Sequence, residues 1–155
     1  MNTSKISRKR VEPVLIASIR YCGGSECAPY FQKLSHWVAE YVCGKRFSLY
    51  SRTSYQKVAL ELEFCVPVRE DVAMEAVTCR MLPGGDVLSV VHYGAYDTLG
   101  KAWEELFDYI ERNNIQVQWP HREIYLDDEP FDSPQHITEL QVPLIIDTPD
   151  GEIGL

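Results

Sequence analysis

An α+β fold with antiparallel sheet and two long helices is predicted by three features of this 155-residue chain. Two stretches carry apolar residues at helical spacing, short extended runs lie between and after them, and the second half of the chain repeats the order of the first. Residues 14–21 form an apolar run that ends at Gly23-Gly24, as a buried strand and turn would. Over residues 28–42, Phe31, Leu34, Trp37, Val38, Tyr41 and Val42 recur at three and four residues, so a helix is expected there, ended by Cys43-Gly44. Strands are expected at 47–54 and 58–68. In the second of these, Leu60, Leu62, Phe64 and Val66 alternate with Glu61, Glu63 and Cys65.

The second half begins with an extended stretch at 78–82, a Pro83-Gly84-Gly85-Asp86 turn and a strand to Tyr93. A helix follows at 98–113, with Leu99, Ala102, Trp103, Leu106, Phe107 and Ile110 on one face and Glu104, Glu105, Asp108 and Glu111 on the other. Strands at 122–126 and 137–144 close the pattern. Glu63-Phe64-Cys65-Val66-Pro67-Val68 matches Glu139-Leu140-Gln141-Val142-Pro143-Leu144, and Tyr21 and Tyr93 each precede a glycine turn. The chain therefore reads as one domain over 11–155, built from two strand-helix-strand-strand repeats at about 14–68 and 77–144 around a central cleft, a common place for a ligand.

Charge divides the chain unevenly. Of a net −8, +4 lies in residues 1–10 (Lys5, Arg8, Lys9, Arg10), which leaves −12 for the rest. An acidic body repels phosphate backbones, so direct DNA binding by this chain is not expected, and residues 1–10 read as a basic, disordered tail. No apolar run reaches the ~20 residues of a membrane helix and no signal-peptide core is present, so a cytoplasmic protein is expected. The five cysteines and four histidines show no metal-ligand spacing, and no phosphate-binding glycine pattern occurs, so neither metal nor cofactor is expected. Asp127, Asp128, Glu129 and Asp132 lack the spacing of a calcium loop and read as a solvated hairpin tip. Cys22 and Cys27 read as inert thiols.

The informative residue is Glu123, a carboxylate in the strand His121-Arg122-Glu123-Ile124-Tyr125-Leu126. Burying it costs several kcal/mol unless a cation, hydrogen bonds or a shifted pKa compensates. On a strand it shares a face with Tyr125, while Ile124 and Leu126 take the other. If the latter pair packs into core, Glu123 and Tyr125 line the cleft. The bland alternative is an exposed glutamate beside Arg122.

Tyr21, the helix with Leu34 and Trp37, the string His92-Tyr93-Gly94-Ala95-Tyr96, the Trp103 helix, Glu123-Ile124-Tyr125-Leu126 and Glu139-Leu140-Gln141-Val142-Pro143-Leu144 together resemble the GyrI-like small-molecule-binding domain over about residues 11–145. This is the effector-binding domain of AraC-type and MerR-type bacterial regulators, and it also occurs alone. The resemblance implies a tandem repeat whose cleft binds hydrophobic, often cationic compounds between aromatic walls and a basal glutamate. That glutamate falls on Glu123 and the helix tryptophan on Trp103. Tyr125, Tyr93, Tyr96, Phe64, Tyr55 and Trp37 are the further wall candidates, each of which could instead be packed core. Residues 1–13 are too short for a helix-turn-helix, so a stand-alone member or a fragment of a regulator is expected.

Three functions compete. The leading one is a sensor or sequestering domain for amphipathic, cationic or aromatic small molecules. The second is a hydrolase of strained or electrophilic compounds with Glu123 as general base. The third is a gyrase-inhibitor-like module that engages a protein partner through its acidic surface.

Overall fold

The computed structural model describes residues 3–22, 28–52, 60–74 and 76–145. Eight antiparallel strands make one curled sheet: β1 (Ser7–Val11), β2 (Val14–Cys22), β3 (Phe47–Arg52), β4 (Leu60–Pro67), β5 (Thr78–Leu82), β6 (Gly85–Tyr93), β7 (His121–Tyr125) and β8 (Ile137–Pro143). Helix α1 (Ala28–Trp37) follows β2, and α2 (Leu99–Arg112) follows β6. The α+β class and antiparallel sheet agree with the sequence reading. The first helix does not reach Val42: α1 stops after 10 residues, and only a 3-10 turn, Ala39–Tyr41, continues it. The second is the long one, preceded directly by a 3-10 turn at Tyr96–Thr98. No helix among the described residues is long and apolar enough to cross a membrane.

The strand order β1-β6-β8-β7-β3-β4-β2-β5 reads the same from either end once each strand is exchanged for its repeat counterpart. The pseudo-twofold lies between β7 and β3, where Ser48 faces Glu123 and Leu49 faces Arg122. Each half opens with one strand more than the strand-helix-strand-strand unit: β5, at the extended stretch expected over 78–82, and β1, which the sequence reading leaves out. β5 has a counterpart in β1, and the two are exchanged: β1 pairs with β6 of the second half, β5 with β2 of the first. Residues 7–10, expected as part of a disordered tail, thus lie in an edge strand.

The exchange is locked by two equivalent ion pairs on the face of the sheet away from the helices. Arg80 of β5 grips Glu63 of β4 through both guanidinium ends, one at 2.9 Å, and Ser18 donates to the same carboxylate. Lys9 of β1 reaches Glu139 of β8 at 2.6 Å, with Ser89 at 2.7 Å and Gln141 at 2.9 Å on the same oxygen. Burial alone would raise both carboxyls. The hydrogen bonds from Arg80 and Ser18, and from Gln141, Lys9 and Ser89, overcome it and hold both below the usual range.

Each helix covers its own half of the opposite face. Leu99, Ala102, Leu106 and Ile110 of α2 are buried against Leu88, Val90, Leu140 and Val142. Leu34 of α1, with Val38 just beyond it, packs on Ala17, Val66 and Val68. Full burial of each large aliphatic side chain contributes about 1.5–3 kcal/mol. Between the two helices, over the pseudo-twofold seam, lies an aromatic layer.

Candidate functional site

Glu123 lies in that seam, on the β7 face turned toward the helices, and is 3% exposed. The seam reaches it from both halves. Trp103 and Phe107 stand one helical step around from the buried stripe of α2, so they project from its flank toward β7 and not into the core below. Trp103 Nε1 donates to Glu123 Oε2 at 2.7 Å. Three phenols meet the other oxygen, Oε1: Tyr50 of β3 at 2.8 Å, Tyr125 of β7 at 2.9 Å and Tyr96, just before α2, at 3.0 Å. Behind them Ser48 lies 2.8 Å from the Tyr125 hydroxyl, and the Tyr50 and Tyr96 hydroxyls are 2.9 Å apart. Each phenol has a single proton to give, so Ser48 donates to Tyr125 while Tyr125 donates to the carboxylate.

All four groups are neutral donors, and no basic side chain forms an ion pair with Glu123 among the described residues. Burial raises the Glu123 carboxyl, and the bonds from Trp103, Tyr50, Tyr125 and Tyr96 only partly restrain the rise. The Tyr50 phenol is pushed up as well, by its own burial and by the adjacent carboxylate. Glu123 is thus a buried carboxylate with three donors on Oε1, one on Oε2 and no counter-charge among the described residues.

A cavity of about 230 Å³ opens over the carboxylate, lined by Tyr50, Trp103, Phe107, Trp119, His121 and Glu123. Its wall is a run of stacked rings. Trp119 lies on His121 with centroids 3.7 Å apart and planes within 12°, and Trp103 stacks on Phe107 at 5.4 Å. Burial pushes the His121 imidazole down from 6.5 to about 4, so it serves as a neutral ring at physiological pH. The folded state rejects a proton that the unfolded chain accepts below 6.5, so stability is lost as pH falls from 6.5 toward 4, by about 3 kcal/mol in all. Urea melts of His121→Phe are expected to show a correspondingly flatter pH dependence over that window.

Of the residues proposed from sequence, Glu123 and Trp103 line the cavity, while Tyr125 and Tyr96 lie beneath it as hydrogen-bond donors to the carboxylate. Tyr125 is wholly buried and is not a wall. Phe64 is one layer further in, in the cluster of Phe31, Leu62 and Tyr125. Tyr93 and Trp37, 51% and 40% exposed, are not brought to the cavity, and Tyr55 lies outside the described residues. Ile124 packs against the Ile16, Phe47 and Leu49 cluster on the other face, as expected from strand alternation. Sequence reasoning missed Tyr50 and Trp119. The signal for Trp119 was the Trp-Pro-His run leading into β7. In the acidic turn, Asp127 accepts from His136 Nδ1 at 2.8 Å and from the Ile137 amide at 2.6 Å, so it braces the β7–β8 connection.

A family model described as the GyrI-like small molecule binding domain matches residues 23–145. The chain belongs to the GyrI-like family. The C-terminal domain of EcmrR resembles this GyrI-like domain with a TM-score of 0.75 at 23% identity, covering 91% of this chain and 97% of that one. The EcmrR chain in an EcmrR-DNA complex gives a TM-score of 0.76 at 22% identity over 90% of this chain, which spans 57% of that chain's length. SAV2435, solved bound to tetraphenylphosphonium, gives 0.71 at 14% identity, covering 92% of this chain and 94% of its own. At these identities the likeness is one of fold. No curated protein sequence matches this chain.

Proposed function

We propose that this GyrI-like domain binds a hydrophobic monocation, with its charge set against Glu123 and its rings against Trp103, Phe107, Trp119 and Tyr50. The carrying observation is the Glu123 carboxylate, buried, held by four neutral donors and lacking a counter-charge. A cation entering the cavity supplies that charge, and aromatic faces at the wall add about 0.5–2 kcal/mol per cation–π contact. The 230 Å³ cavity is below the ~300–1,000 Å³ of drug-sized pockets, so it suits the charged centre and one or two rings, with the remainder of the ligand outside. The cationic ligand of the similarly folded SAV2435 supports the same chemistry.

Tetraphenylphosphonium and tetraphenylborate, alike in shape and opposite in charge, test the reading by calorimetry. The cation is expected to bind and the anion to fail; equal affinity for both removes the role assigned to Glu123. The bound charge favours the ionised carboxylate, whose pKa in the free protein is raised. Affinity is therefore present above that pKa and lost as pH falls through it, earlier in an acid titration than for an ordinary glutamate.

A second reading, hydrolysis with Glu123 as base, is favoured by the raised carboxyl and by the single donor on Oε2, which keeps a lone pair for a water. Turnover of a strained ester or cyclopropane, lost in Glu123→Gln, would establish it. Compound recovered intact after long incubation with the native protein would dismiss it for that substrate.

A further inference from the structure

Arg122, the neighbour of Glu123, points through the sheet to the opposite face and carries the reverse problem. It is 7% exposed and, among the described residues, forms no ion pair and makes one side-chain hydrogen bond, from Nη2 to the Pro83 carbonyl at 2.9 Å. Its Nε is buried without a partner. In the first repeat the equivalent place is taken by Phe47, so the fold does not require a cation there: Phe47 faces Cys65 as Arg122 faces Gln141. Gln141 offers no charge, and its Oε1 is also unpartnered. A water joining these two atoms would satisfy their hydrogen bonds and leave the guanidinium's charge unmatched.

Arg122 lines a second cavity of about 320 Å³, with Pro83, Val87, Trp119, Asp86 and Arg10 among its walls. Asp86 is already claimed by Arg8 at 2.8 Å and Arg10 at 3.3 Å. These four side chains therefore carry +2 locally, on a chain whose net charge is −8. Leu82, Pro120 and Pro143 make the remaining surface largely apolar.

We propose that this second cavity binds a small carboxylate with an apolar body, its carboxylate held by the Arg122 guanidinium and approached by Arg10, its body against Val87, Pro83 and Trp119. Arg suits the role because its planar fork presents parallel N–H donors to both oxygens of a carboxylate. The site is separate from the Glu123 cavity, opposite to it in sign, and shares Trp119 with it.

Benzoate is the probe, titrated into the full chain and followed by NMR at the Arg122 Nε–H and the Gly84 and Val87 amides. Saturating shifts at these groups are expected, with affinity about tenfold lower in Arg122→Gln. Glu123→Gln should bind benzoate as the native protein does, and Arg122→Gln should still bind tetraphenylphosphonium, so that failure of either site is seen apart from the other. The proposal is overturned by shifts that do not saturate, by shifts confined to the Glu123 cavity, or by equal benzoate affinity in native and Arg122→Gln proteins. If Arg122→Gln does not fold, the native titration decides by location alone, and the exposed Arg10→Ala is expected to bind benzoate a few-fold more weakly.

Discussion

Glu123→Ala is expected to destabilise the domain by about 3–5 kcal/mol, and Glu123→Gln to leave stability within about 1 kcal/mol while lowering affinity for a hydrophobic cation at least tenfold. The alanine orphans four donors at once, the Trp103 indole and the hydroxyls of Tyr50, Tyr96 and Tyr125, in a buried site. Glutamine avoids most of this. With its carbonyl toward Trp103 and its amide toward the phenols, Tyr125 turns its proton to Ser48 and one of Tyr50 and Tyr96 to the other, so one phenol proton, not four donors, is left to find a partner. The main loss is the charge. Chemical denaturation of both variants beside ligand titration separates the two effects. A glutamine variant that binds cations like the native protein would show that the rings, and not the carboxylate, provide the affinity.

Arg80→Met is expected to cost about 2–3 kcal/mol and Lys9→Met about 1 kcal/mol, although the two cations hold equivalent places. Removing Arg80 leaves Glu63 buried with Ser18 as its remaining close donor and Arg20 at the edge of reach, 4.0 Å away. Glu139 without Lys9 still accepts from Ser89 and Gln141, and Lys9 is the more exposed cation, so less is lost. Arg80 is itself about one-third exposed, which keeps its cost below that of a fully buried pair. Both losses shrink in acid: each glutamate has a depressed pKa in the folded state, so the stability it adds is present above the unfolded value and disappears as pH falls through the folded one. Urea melts at pH 7 and pH 4 give both comparisons.

The residues that could be read from sequence were those whose chemistry contradicts their neighbourhood or whose spacing is regular. Glu123 stood out as a charge in an apolar strand, and Trp103 followed the helical period of α2. Tyr50 obeys no such rule, since its place in the cavity depends on β3 meeting β7 in a register where Tyr50 faces His121. That pairing joins residues far apart in the chain, and no local pattern encodes it. β1 was misread for a physical reason. Its Ser-Arg-Lys-Arg-Val sequence is almost wholly exposed, because basic side chains on an outer strand discourage pairing with other chains, and the same residues suit a solvated tail. The repeat was visible in the two glutamate-valine-proline strands, but its first strand was hidden by this disguise in one half only.

The exchanged outer strands also impose an order on synthesis. When β1 and β2 leave the ribosome, the strands beside which they will lie, β6 and β5, have not been made. The first half emerges with one strand unpaired and one edge of its sheet bare, and it can complete neither until the second half is translated. The outer pairing of the first half therefore waits on β5 and β6, and the seam between β3 and β7, which frames the ligand cavity, depends on both halves being present.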